Sequence, residues 1–229
     1  MNIFMGNSLW NLVVQSDRIS KLVLLVLLAL SVACWTVFFF KMIMLRIKRK
    51  HMRLALERLK TKHTIDDMLS VANDMVFTVP GYFLTKNLAY LKTLLETQKD
   101  MGKQSVSEYD WELMQQHMYQ SIDNLVHADE AYLPVLSTSA AVAPLLGLFG
   151  TVWGLVHAFI GISERQSADI TTVAPGIAEA LITTLAGLIV AIPALIMFNF
   201  LQIQVRALEQ QYGSLADRIG FVVQRLLMR

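Results

Sequence analysis

A single cysteine in 229 residues, Cys34, excludes an intrachain disulfide and any cysteine-based metal centre. It lies inside an apolar run, where a thiol behaves as a small core-like side chain. Charge is scarce too: Asp, Glu, Lys and Arg make up 17% of the chain, against about a quarter in soluble domains. A formal net charge of +2, with no basic stripe interleaved with aromatics, gives no footprint for nucleic acid. His51, His63, His117 and His127 are scattered, and none has the His-Glu-x-x-His spacing of a metal site. No Gly-rich phosphate loop, Gly-x-Ser-x-Gly elbow or Cys/His arrangement occurs. Neither an enzyme nor a cofactor or metal site is therefore expected.

What the chain does have is apolar residues, 55% of the total and unevenly spread. A span needs about 20 predominantly apolar residues to cross roughly 30 Å of hydrocarbon. Three runs qualify, giving transmembrane helices over residues 21–41, 133–162 and 173–201. The last two exceed the minimum, so they are expected to tilt or protrude. The first is too long for a signal-peptide core, and no small-residue cleavage site follows it. Arg46, Lys48, Arg49, Lys50 and Arg53 follow it instead and outweigh Arg18 and Lys21. By the positive-inside rule the C-terminal flank is then cytoplasmic and the N-terminus periplasmic.

The resulting expectation is an all-α polytopic membrane protein, with three transmembrane helices extended into a cytoplasmic helical bundle. Residues 1–20 form a short periplasmic or interfacial N-terminus. Within it Ile3, Phe4, Leu9, Trp10, Leu12 and Val13 fit either an amphipathic interfacial helix or a disordered start. Residues 42–132 form the cytoplasmic helical domain, 163–172 a periplasmic loop, and 202–229 a cytoplasmic C-terminal helix. Helical spacing of apolar residues predicts helices over Met42–Thr61, Ile65–Val76, Tyr82–Gln98 and Ser105–Ala131. Pro80-Gly81 and residues 99–107 are the breaks. The first span is expected to continue unbroken into this domain. No breaker separates Trp111–Ala131 from the second span, and Asp110 is a candidate cap.

The second span carries Ala143, Gly147, Gly150, Thr151, Gly154, Ala158 and Gly161 at three- and four-residue steps. Small residues on one face let helices approach where lipid supplies no hydrophobic drive. Gly176 and Gly187 join Gly147, Gly150 and Gly154 as helix-packing positions. The third span holds one carboxylate, Glu179, with Pro175 placed as a first-turn residue. A charge at mid-span costs on the order of 2.5–3.5 kcal/mol and usually marks an ion or proton path. Antiparallel depth matching sets His157 level with Glu179, and Thr151 level with Thr183 or Thr184. Helical phase puts Glu179 and Thr183 on one face. His157 also fits a plain interfacial residue.

Leu148-Phe149-Gly150-Thr151-Val152-Trp153-Gly154, then Val173-Ala174-Pro175-Gly176-Ile177-Ala178-Glu179-Ala180-Leu181, then Ala191-Ile192-Pro193-Ala194 closely resemble the TolQ/ExbB family, distant relatives of the flagellar stator subunit MotA. The resemblance is strongest over residues 133–200. It implies a homo-oligomer, a pentameric ring in the inner membrane, around the helices of a TolR/ExbD-like single-span partner. It further implies a TolA/TonB-like protein as the driven component and the proton gradient as the energy source. The proton-carrying aspartate it implies belongs to the partner's helix. Residue by residue, the family's pore threonines fall on Thr151 and Thr184 and its carboxylate on Glu179. Helical phase names Thr183 in place of Thr184. His157-Ala158-Phe159 and the short N-terminus look more like TolQ than ExbB. An ExbB-type subunit energising TonB-dependent uptake and a non-conducting scaffold are the alternatives. A membrane enzyme or solute transporter lacks the nucleophile or broken-helix repeats it would need.

Overall fold

A long apolar run in lipid must satisfy its own backbone, and a helix does so within one segment. The structure, a computed structural model, describes residues 17–62, 64–100, 108–165 and 170–227. Six helices occur among these residues, and no strand. They are α1 (Arg18–Leu59), α2 (Ile65–Asp74), α3 (Val79–Asp100), α4 (Glu108–Glu130), α5 (Leu133–Arg165) and α6 (Ile170–Leu227). Helices α1, α5 and α6 each contain a stretch long and apolar enough to cross a membrane. The chain is thus an all-α polytopic membrane protein. The N-terminal segment 1–16, read as interfacial or disordered, lies outside the described residues, as does 166–169 of the hairpin loop.

Contacts divide the chain into two compact units. The first comprises residues 1–40 and 132–201 and contains the three spans. Its buried cluster is built from Val23 and Leu27 of α1, Ala143 of α5 and Ala191 of α6, with Leu146, Ala186 and Val190 against it. Phe38 and Phe200 meet at 6.1 Å between ring centroids. Leu25, Leu28, Phe149 and Ile192 stand exposed, a pattern that marks a membrane or subunit surface.

The second unit comprises residues 41–131 and 202–229. Along α6, Val205, Leu208, Tyr212, Leu215, Ile219 and Val222 are buried at alternating steps of three and four. Along α1, Leu45, Met52, Ala55 and Leu59 are buried in the same rhythm. Such spacing keeps one seam of each helix facing a partner. Arg218 closes this seam by donating through Nε to the Leu59 carbonyl at 3.1 Å. Thr64 caps α2, its hydroxyl accepting the Asp67 N–H at 3.2 Å. Pro80 lies in the first turn of α3, where its missing N–H costs nothing. A Cβ on Gly81 would collide with the Met75 carbonyl, so only glycine lets α3 turn so closely off α2.

Three local expectations change. Helix α4 starts at Glu108, so Asp110 is a buried first-turn residue and not a cap. It also ends at Glu130, and Tyr132 at φ 70° separates it from α5. Pro134 supplies the reason, since it offers no N–H to the Glu130 carbonyl. Helix α6 starts at Ile170, which places Pro175 in its second turn.

Two of the basic residues assigned to topology also have internal partners in the second unit. Lys48 pairs with Asp129, which is fully buried, and Arg49 donates to Gln204. Tyr212 donates to the other Asp129 oxygen at 2.8 Å, and Lys41 Nζ donates to the Ala128 and Asp129 carbonyls at 3.2 and 3.0 Å. Removing one partner of a buried pair leaves the other charge uncompensated. Asp129→Ala is therefore expected to cost about 3 kcal/mol in denaturant unfolding. Lys92→Ala, which breaks the exposed pair with Glu96, should cost no more than about 0.5 kcal/mol.

His117 stacks on Tyr90 with 4.1 Å between centroids and 3° between planes. Asn87 Nδ2 donates to the Phe83 carbonyl at 2.8 Å, so its Oδ1 is left to accept from His117 Nδ1 at 3.1 Å. Burial, and then the Lys86 charge, hold the imidazole below its ordinary value of 6.5. The folded state thus favours neutral His117. Its contribution is complete above the unfolded value and is lost as pH falls through the folded one. The protection factors of the amides along 79–100, taken relative to their intrinsic exchange rates, should fall below pH 6.5, and His117→Gln should flatten that dependence.

Candidate functional site

Close approach between α5 and α6 sets the geometry of the first unit. A Cβ on Gly147 would sit 3.0 Å from both the Thr183 carbonyl oxygen and Thr184 Cα. On Gly154 it would meet Ala180 Cβ at 3.0 Å, and on Gly176 it would meet Ala158 Cβ at 3.0 Å. On Gly187 it would stand 2.6 Å from the Ala143 carbonyl oxygen, and on Gly150 it would overlap the Thr183 hydroxyl. All five glycines therefore lie on the contact between the two helices. Small residues of this kind let backbones pack directly inside a membrane.

That approach gives each threonine a different setting. The Thr184 hydroxyl donates to the Gly147 carbonyl at 3.0 Å and stays half-buried. Thr151 is also half-buried, its hydroxyl donating to the Leu148 carbonyl at 2.7 Å. Thr183, which helical phase grouped with Glu179, is fully buried beneath Gly150 and donates to the Ala180 carbonyl at 2.7 Å. Thr183 thus packs against α5, because its face of α6 is the face that meets α5. Of the two candidates, Thr184 keeps an accessible surface.

Glu179 lies one residue before the Ala180–Gly154 contact, at the loop end of the hairpin. One oxygen, Oε1, accepts the backbone N–H of Asp17 at 3.0 Å. Asp17 immediately precedes α1 and accepts the Lys21 N–H on its carbonyl at 3.0 Å, as an N-cap does. Its own carboxylate accepts the Trp153 indole N–H at 3.0 Å. That bond, and then the Arg18 backbone N–H, hold the Asp17 carboxyl below the ordinary carboxylate range. Burial opposes the shift, while the Ile19 N–H and the charge of His157 add to it. His157 itself is exposed. The structure thus joins Asp17, at the start of α1, to Trp153 of α5 and Glu179 of α6. Asp17 was not singled out from the sequence, although an Asp directly before an apolar helix is an N-cap signal.

These features define a three-span helical membrane protein with a carboxylate site at the loop end of a tightly packed hairpin. The profile of the MotA/TolQ/ExbB proton channel family matches residues 81–214, and the chain belongs to that family. It is 30% identical over 216 residues to the biopolymer transport protein ExbB of Salmonella typhimurium, covering 93% of this chain and 84% of the relative. To the Tol-Pal system protein TolQ of Pseudomonas aeruginosa it is 31% identical over 225 residues, 98% and 96% of the two chains. To TolQ of Haemophilus influenzae it is 49% identical over 96 residues, 42% of each chain. Family and spans together make it an inner-membrane protein.

The packing carries a direct prediction. Gly187→Val places a branched side chain against the Ala143 carbonyl and the Gly147 backbone. Overpacking of this kind costs about 1–3 kcal/mol. Thermal unfolding in detergent should show that loss, whereas Gly213→Ala, with open space around it, should change stability far less.

Proposed function

We propose that this chain is the ring subunit of a proton-driven motor of Tol-Pal type. In this reading five copies surround a TolR-like single-span partner, whose movement is transmitted through a TolA-like protein to a periplasmic or outer-membrane process. The N-terminus is periplasmic and the C-terminus cytoplasmic, as the Arg46, Lys48, Arg49, Lys50 and Arg53 flank argues. Protons pass between ring and partner along Glu179, Thr184 and Thr151, with His157 at the periplasmic approach. No catalytic reaction, cofactor or metal enters this account.

The observation that carries the reading is Glu179. It is an ionisable group within an apolar segment of α6, half-buried and given one main-chain donor from a neighbouring helix. Intramembrane carboxylates are kept where an ion or proton path uses them. Membership of a proton channel family supports the same role. The likeness of His157-Ala158-Phe159 to TolQ, and the 49% identity with the Haemophilus protein, favour the Tol-Pal branch. The long match to Salmonella ExbB keeps a second reading, in which the motor energises TonB-dependent uptake.

Glu179→Ala and Thr184→Val should each abolish energy transduction, while the protein inserts and assembles normally. Wild-type transduction in both variants would sink the proposal. A ring that acts only as scaffold would leave the partner's movement indifferent to a proton uncoupler. Loss of envelope integrity with TonB-dependent uptake intact marks the Tol-Pal branch, and the converse marks the ExbB branch.

A further inference from the structure

Glu179 does not stand alone on α6. Its oxygen is bonded to the main chain at the start of α1, and the residue supplying that N–H is anchored to α5 through its own side chain. Two bonds of 3.0 Å therefore connect Trp153 of α5, Asp17 at the start of α1 and Glu179 of α6 in series. We propose that Asp17 is the positioning residue of the Glu179 carboxylate, with the Trp153 indole as its anchor on α5. The inference rests on the reading of Glu179 as a proton-path residue, and gives Asp17 and Trp153 a part in that path.

The physical case has three parts. The first N–H groups of a helix have no intrahelical acceptor and carry the positive end of its dipole. A carboxylate brought against them gains a charge-assisted bond, stronger than a neutral one. Glu179 takes this place from a different helix, so its position depends on where α1 begins. Asp17 fixes that point: it immediately precedes α1 and its carbonyl accepts from Lys21. Capping alone would satisfy α1 and leave Asp17 free to move relative to the hairpin. The Trp153 bond removes that freedom. Trp153 precedes Gly154, and Glu179 precedes Ala180, and those two small residues are in contact. The packing that joins α5 to α6 therefore also sets the distance that Asp17 bridges.

The variants separate positioning from capping. Asp17→Asn keeps the backbone N–H, the cap and an oxygen able to accept from Trp153. Asp17→Ala keeps the backbone N–H and carbonyl but loses every side-chain acceptor. Trp153→Phe keeps the cap and most of the ring volume but deletes the indole donor. The assembled ring with its single-span partner would be compared in two measurements. In glutamate-labelled protein, the infrared carboxylate band of Glu179 is identified by its loss in Glu179→Gln. That band should shift in Trp153→Phe and Asp17→Ala and stay in place in Asp17→Asn. Proton flux into vesicles should fall about tenfold in Trp153→Phe and in Asp17→Ala, no further in the double variant, and remain near wild type in Asp17→Asn.

An unmoved Glu179 band in assembled Trp153→Phe overturns the assignment, as do flux losses that multiply in the double variant. Failure of Trp153→Phe to assemble overturns it as well, because the bond is then a folding contact. If Asp17→Ala does not fold, Trp153→Phe and Asp17→Asn still decide. The infrared result does not depend on conduction. Normal flux in Glu179→Ala would therefore defeat the proton-path reading and leave the geometric one standing.

Discussion

The direct backbone contact between α5 and α6 is the constraint on which the rest of the membrane-spanning unit depends. In lipid no hydrophobic force draws two apolar helices together, so they associate through close packing and hydrogen bonds. Gly147, Gly150, Gly154, Gly176 and Gly187 make that packing possible by removing the side chains that would hold the backbones apart. Once the helices touch, the threonines are sorted. Thr183 is enclosed, and Thr184 reaches across to the Gly147 carbonyl. The same contact sets Trp153 and Glu179 at the level where Asp17 begins α1.

The second unit is held by different physics. Its helices bury Leu, Met, Val and Phe side chains in seams with a three- and four-residue rhythm, as soluble bundles do. Into that core it places Asp129, with Lys48 and Tyr212 on its two oxygens. A buried charge is a weak source of stability and a strong source of specificity of arrangement where it has one set of partners. Three helices, α1, α4 and α6, contribute to this cluster. It fixes their register in a way that interchangeable apolar side chains do not.

The chain's organisation was legible in the sequence to an unusual depth, because a membrane demands long unbroken apolar runs and those are visible without a structure. The helices of the second unit were legible from apolar spacing, and their observed limits differ from the expected ones by a few residues. The departures trace to individual residues. Pro134 ends the continuity between α4 and α5, although its position one residue inside the second span made it look like part of the run. Pro175 moved from first to second turn because Ile170, Thr171 and Thr172 already belong to the helix. Asp110 and Asp17 exchanged roles: the expected cap is buried in a first turn, and the true cap was passed over.

The sequence by itself determined the class of protein, the three spans, the glycine stripe and the presence of one carboxylate in the third span. Each of these follows from local composition or spacing, which a single helix expresses without reference to its neighbours. Only the tertiary structure decided what Glu179 touches. Its donor lies 162 residues away in sequence, and that donor is itself 136 residues from its anchor. The different settings of Thr183 and Thr184 were tertiary for the same reason. Helical phase groups residues by face, but which face meets α5 is settled by the packing of two helices. The carboxylate first noticed as one charge among apolar residues is thus the end of a hydrogen-bonded series that links the two hairpin helices to the start of α1.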